Sequence, residues 1–197
     1  MKTLISLLLV SSFLFSFDAI QVKKLKESLV CENCDLTNAD LSGLILKKAN
    51  LSGSDLSGAN ISMSDFAFAN FWGTKLNGVK AVNSNFRLAN FEGAVISDAD
   101  FEDSILKAAK LQFSEISNSS FKNANLWDAL FQEATFENVN LDGSRIAEAH
   151  FMGNDLRTVS LKEVLGFKAV FEDSTLTKSQ CEALKKEEVI FKNTKCE

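Results

Sequence analysis

The chain has 197 residues, 46% hydrophobic and 24% charged, which excludes a disordered tail and allows one domain with a core of its own. Its 21 basic and 26 acidic residues leave a net charge of −5, spread along the chain, and the lack of a basic stripe argues against a nucleic-acid binder. Proline and tyrosine are absent while phenylalanine occurs 17 times; a chain without proline can engage nearly every backbone N–H in hydrogen bonds.

Residues 1–18 read as an export signal. Lys2 supplies the charged start, Leu4 to Phe17 is apolar with a few serines, and polar sequence follows from Asp18. The apolar run is short for a membrane span. Cleavage after Ser16 or after Ala19 would each use an imperfect site, so an uncleaved N-terminal anchor stays open as the alternative. No cysteine ends the run, so no lipoprotein anchor is expected. Ile20, Leu25 and Leu29, set among charges, predict a short amphipathic helix over residues 19–29.

The four cysteines are Cys31, Cys34, Cys181 and Cys196, and an even count in an exported chain points to disulfides with three pairings open. The C-x-x-C of residues 31–34 lacks the βαβ context of a redox motif and two further zinc ligands nearby. Haem attachment needs a histidine where Asp35 stands.

From Leu36 onward every fifth residue is apolar: Leu41, Leu46, Leu51, Leu56, Ile61, Phe66 and so on to Leu161, 26 centres without a slip. All are large except Ala81, beside which Val79 is larger than usual. Two residues before each centre stands a small side chain, with Leu44 and Asn154 as exceptions; one residue before, Asp and Asn dominate. Eight of the nine glycines lie two residues after a centre, where a turn needs positive φ. The ninth, Gly166, takes a centre's place, so an irregular coil is expected over residues 162–170 before the register resumes at Phe171 and Leu176. A period of five fits neither a helix nor a strand.

The pattern A(D/N)LXX resembles the pentapeptide-repeat family. The resemblance implies an all-β solenoid over residues 35–176, a right-handed quadrilateral β-helix with four units per square coil. The centre and the small residue would point inward, and stacked coils would bury what one unit cannot. The 26 units would make a regular rod of roughly 31 Å. Positions twenty apart would stack, giving internal ladders Phe66–Phe86, Phe71–Phe91, Phe101–Phe121 and Phe131–Phe151–Phe171. Raw solenoid ends need caps, expected at residues 19–34 and 177–197. In the second cap, residues 177–188 read as a helix started by Thr177 or Ser179, and residues 189–191 as a closing strand. A rod of this length separates the cysteine pairs, leaving Cys31–Cys34 and Cys181–Cys196.

Little in the chain suggests chemistry. The single histidine, His150, precedes a centre and should face outward; there is no phosphate loop or nucleophile motif, and the aspartates follow the repeat. The expectation is no enzyme, no cofactor and no metal. The outward positions carry a candidate interface instead: Phe68, Leu88 and Trp127 on one face, with Trp72 and Phe113 on the neighbouring face near the shared corner. The plainer alternative is that these side chains fold over a corner or under a terminal segment. The expected function is a non-catalytic exported rod, structural or protein-binding, in the periplasm or outside the cell. Its partner would be an unidentified protein or a second copy, not nucleic acid or a small molecule. The resemblance also implies an alternative, a DNA-mimic inhibitor of a type II topoisomerase giving quinolone protection. Lys80 and Lys122 interrupt the acidic column of Asp100, Glu102 and Asp103, and an exported protein would not meet that enzyme.

Overall fold

The structure, a computed structural model, describes residues 16–197. The export signal lies outside the described residues up to position 15. In chain order the elements are α1 (Ser16–Ser28), β1 (Val95–Ser97), β2 (Glu115–Ser117), β3 (Thr135–Glu137), β4 (His150–Met152), β5 (Val170–Glu172), β6 (Thr175–Leu176), α2 (Lys178–Leu184), a 3-10 turn (Lys185–Glu187), β7 (Ile190–Lys192) and β8 (Lys195–Cys196). Most of the chain between these elements consists of single bridging residues and tight turns.

Each unit explains its own sequence. The Ala39 N–H donates to the Leu36 carbonyl at 3.0 Å, closing a turn whose third residue, Asn38, has φ 56°. That left-handed position recurs in every unit of the regular solenoid except that of Leu156, where Thr158 stands, and glycine or asparagine adopts it at least cost. The residue before the centre ties the turn. Asp35 Oδ1 accepts from the Thr37 N–H at 3.1 Å, and Asn70 Oδ1 accepts from the Trp72 N–H at 3.1 Å. This two-residue reach belongs to Asp and Asn, so their prevalence before the centre has a structural cause.

Units twenty residues apart pair in parallel, giving four faces. Bridging residues Val30, Asn50, Asn70, Asn90, Lys110, Leu130, His150, Val170 and Ile190 form the ladder of the first face. The second face runs from Asp35 to Lys195, the third from Asp40 to Ser160 and the fourth from Ile45 to Leu165. The first-face ladder therefore spans roughly 38 Å. Inside, the aromatic ladders form as the resemblance, with four units per coil, implies. Ring centroids are 5.7 Å apart in Phe66–Phe86, 4.7 Å in Phe71–Phe91 and 4.9 Å in Phe101–Phe121. Phe131–Phe151 and Phe151–Phe171 stack at 4.8 and 4.9 Å. Ala81 and Val79 are both buried, as volume compensation requires.

The caps use different devices. Helix α1 buries Leu25 and rests Val22 on the core, and Leu29 just after it packs there too, but Ile20, expected on the same apolar face, is exposed. At the other end Thr177 and Gln180 form a reciprocal capping box at the start of α2. Gln180 Nε2 also donates to the carbonyls of Leu156 and Val159; one coil earlier the carbonyl equivalent to Val159, that of Val139, accepts from the Ser160 N–H of the next coil. Strands β7 and β8 then return to the first and second faces in register, Val170 with Ile190 and Leu176 with Cys196. The disulfides are Cys31–Cys34 and Cys181–Cys196, one at each end.

Two expectations need correction. Residues 162–170 keep the regular ladder: Leu165 bridges Arg145, and the Ile146 N–H donates to the Leu165 carbonyl at 3.0 Å. Gly166 leaves out a side chain, and Val189 from the cap fills the space. Conversely, the second face is broken where the spacing predicts continuity. Its strands form two sheets, β1-β2-β3 and β6-β8, with no pairing between Thr135 and Asp155. Asn154 Nδ2 donates to the carbonyls of Phe131 and Ala134, and the Asn138 N–H turns to Thr158 Oγ1. Side chains thus stand where backbone bonds belong, and Phe136 is left half-buried.

Candidate interaction face

The acidic columns are turn chemistry. Asp40 is held below the usual carboxylate range by the Ser42 hydroxyl, the Ser42 N–H and Lys26. Asp155 is lowered first by the Arg157 guanidinium, whose Nη2 lies 2.6 Å away. Burial pushes Asp55 up, but the Ser57 bonds and Lys75 outweigh it and the carboxyl is lowered. Each of these partners sits in the same turn or on an adjacent coil or cap. His150 lies in the first-face ladder, half-buried between Leu130 and Val170. Among the described residues no group of His, Cys, Asp and Glu is placed to hold a metal ion. Among the same residues no helix is long and apolar enough to cross a membrane.

The exposed apolar residues are more distinctive. Phe68, Trp72, Leu88, Phe113 and Trp127 are all exposed, so none folds under a corner or a terminal segment. Phe68 and Leu88 occupy left-handed turn positions with φ 63° and 59°, at the corner between the fourth and first faces. Phe113, φ 57°, occupies the same kind of position. Bulky side chains are uncommon there, because Asn, Asp or Gly would make the same turn at lower cost. Neither core packing nor the turn calls for them.

The structure divides the five. Phe68, Leu88 and Trp127 share the fourth face, and Trp72 lies on the first face near Phe68. Phe113 stands at the opposite corner of the first face, where the chain passes to Glu115 and the second face, and not at the shared corner. Four further apolar residues join the fourth face: Ile45, Ile105, Leu165 and Phe167. A reading of outward positions at a period of twenty would have placed them. Near the end of that face, Trp127, Leu165 and Phe167 line a groove of about 460 Å³ with Arg145 at its side.

The family model for pentapeptide repeats matches eight copies, over residues 34–73, 64–103, 84–123 and 119–157. No curated relative matches the sequence. Among solved structures, a trypsin-treated form of QnrB1, a plasmid-mediated fluoroquinolone resistance protein, is 20% identical with a TM-score of 0.50, covering 80% of this chain and 84% of that one. HetL, a pentapeptide repeat protein involved in heterocyst differentiation regulation in the cyanobacterium Nostoc sp. strain PCC 7120, is 19% identical with a TM-score of 0.39, covering 83% and 87%. A pentapeptide repeat protein from the Arabidopsis thaliana thylakoid lumen is 23% identical with a TM-score of 0.20, covering 74% and 77%. Such identities speak to fold alone. Five-residue units with inward centres, a four-sided solenoid and a family match from residue 34 to residue 157 place this chain in the pentapeptide-repeat family.

Proposed function

We propose that the protein is a non-catalytic, exported rod that works in the cell envelope by holding a protein partner against its exposed apolar positions. The observation that carries this reading is the set of aromatic and aliphatic side chains at outward sites the solenoid does not need filled, Trp72 and Phe113 above all. The apolar start of the chain and the disulfide at each end support an oxidising compartment. The titratable groups serve turns, which supports binding over catalysis.

The test has two parts. Fractionation of the source cell with mass spectrometry of the N-terminus should find a processed chain in the envelope; an unprocessed cytoplasmic chain would end the export reading. In-cell crosslinking should join the protein to a discrete partner or to a second copy, and Trp72→Ser with Phe113→Ser should remove that adduct while thermal melting stays unchanged. An adduct of equal yield from the double variant would reject these residues as the contact.

A further inference from the structure

Charge is not spread evenly over the four faces. Counted over the three outward positions of every unit, the first face has two basic and five acidic residues, the second four and seven, and the third three and six. The fourth has six basic and three acidic. An acidic protein therefore carries one cationic face. The cap turn beside it, Lys185 to Glu188, adds two charges of each sign.

Among the described residues, the same face holds seven of the fourteen exposed large hydrophobic side chains. Ile45, 76% exposed, and Leu165, 54% exposed, stand in its first and last rungs, so the apolar tips extend over roughly 29 Å. Each exposed aromatic ring there has a cation beside it. Lys107 Nζ lies 3.7 Å from the centre of the Trp127 ring, Lys168 Nζ 5.1 Å from Phe167, and Arg87 Cζ 5.6 Å from Phe68. Of the three acids, Asp65 is already paired with Lys47 at 3.1 Å.

We infer that the fourth face seats the rod on a bilayer surface containing anionic lipid. Rings and aliphatic tips enter the boundary between headgroups and acyl chains, and the neighbouring Lys and Arg meet lipid phosphates at the same level. Two observations favour a bilayer over a protein on this face. The apolar tips are distributed along the whole flat face, whereas protein interfaces gather their energy in a compact central cluster. Apolar insertion and a cationic surface are the two signals stable membrane anchoring needs, and here they share one plane. The acidic faces then turn away from the lipid, and Trp72 and Phe113 on the first face remain for the protein partner. The inference rests on the envelope reading only for where such a bilayer would be met; the surface chemistry is independent of export.

The test uses the full chain carrying Trp72→Phe, which leaves Trp127 as the sole tryptophan, with vesicles of roughly one-third phosphatidylglycerol in phosphatidylcholine. Flotation with these vesicles is expected, together with a blue shift of Trp127 emission. Pure phosphatidylcholine vesicles report any binding through the apolar N-terminal run. Phe68→Ser with Phe167→Ser, and separately Lys107→Gln with Arg145→Gln and Lys168→Gln, should each lower the partition coefficient by about tenfold or more. High salt should weaken binding of the parent. Circular dichroism confirms that each variant is folded. Equal binding to both vesicle types, unchanged binding of both face variants, or no flotation at low salt would overturn the proposal. So would a dimer, seen by sedimentation, that the Phe68 and Phe167 changes dissociate, since the face would then belong to a second copy.

Discussion

Asn154 donates its side-chain amide to the Ala134 carbonyl at 2.7 Å, taking an acceptor that backbone N–H groups use on adjacent coils of the second face. One coil earlier the Thr135 N–H reaches the Ser114 carbonyl, and one coil later the Thr175 N–H reaches the Asn154 carbonyl, both at 2.9 Å. The displaced rung no longer pairs, and Asn154 Oδ1 is buried without a partner. One oversized polar side chain at a position reserved for small ones accounts for the break.

Asn154→Ser should therefore stabilise the protein. The equivalent residue one coil later, Ser174, fits the interior and donates to the Phe151 carbonyl. Removing an unpaired buried acceptor and closing the rung should add about 1–2 kcal/mol and raise the melting temperature by several degrees. Equilibrium denaturation measures it. A lower stability would mean that the backbone, not Asn154, holds the rung open.

Gly166→Leu restores the repeat and should nonetheless destabilise. A β-carbon at Gly166 would stand 3.0 Å from Val189 Cγ1 and 3.3 Å from Glu187 Cβ. A leucine must displace the cap, at a cost of about 1–3 kcal/mol. Hydrogen exchange should quicken in β7, which follows Val189 directly. An unchanged β7 with an unchanged melting temperature would show that the cap yields freely.

The two disulfides should contribute unequally. Cys181–Cys196 closes a separation of 15 residues and holds α2 to β8, whereas Cys31–Cys34 closes a separation of 3. Loop-closure arguments give about 3 kcal/mol for the longer one and less for the shorter. Thermal melts of the Cys181→Ala, Cys196→Ala variant against the Cys31→Ala, Cys34→Ala variant test the order. The reverse order would place the main stabilisation at the N-terminal end.

Acid should weaken the fold through its turns. Asp40, Asp55 and Asp155 are lowered in the folded protein from a reference value of 3.8. A depressed folded pKa contributes stability that is present above the unfolded value and lost as pH falls through the folded value. Stability is thus expected to be level near neutrality with respect to these groups and to decline below about pH 4. Asp155→Asn should flatten that decline in urea titrations run at stepped pH. A variant as acid-sensitive as the parent would assign the loss to other carboxylates.

The solenoid was legible in the sequence because its rule is local and repeated. Each unit buries one centre and one small residue and ties its turn with Asp or Asn, so the period of five could be read from spacing; the inward Phe ladders followed from the family resemblance with its four units per coil, and a helical cap begun at Thr177 or Ser179 from the local sequence. Phe68, Leu88 and Trp127 could be read too, since outward positions follow from the same period. What only the tertiary structure decided depends on residues twenty or more apart meeting across coils and caps. The break depends on Asn154 reaching Phe131 and Ala134; the regular coil at Gly166 depends on Val189 arriving from the cap. Likewise the fourth face becomes cationic and apolar only when Ile45, Phe68, Trp127 and Leu165 are stacked in one plane. A five-residue rule specifies which side a residue faces; the twenty-residue coil decides what it stands beside.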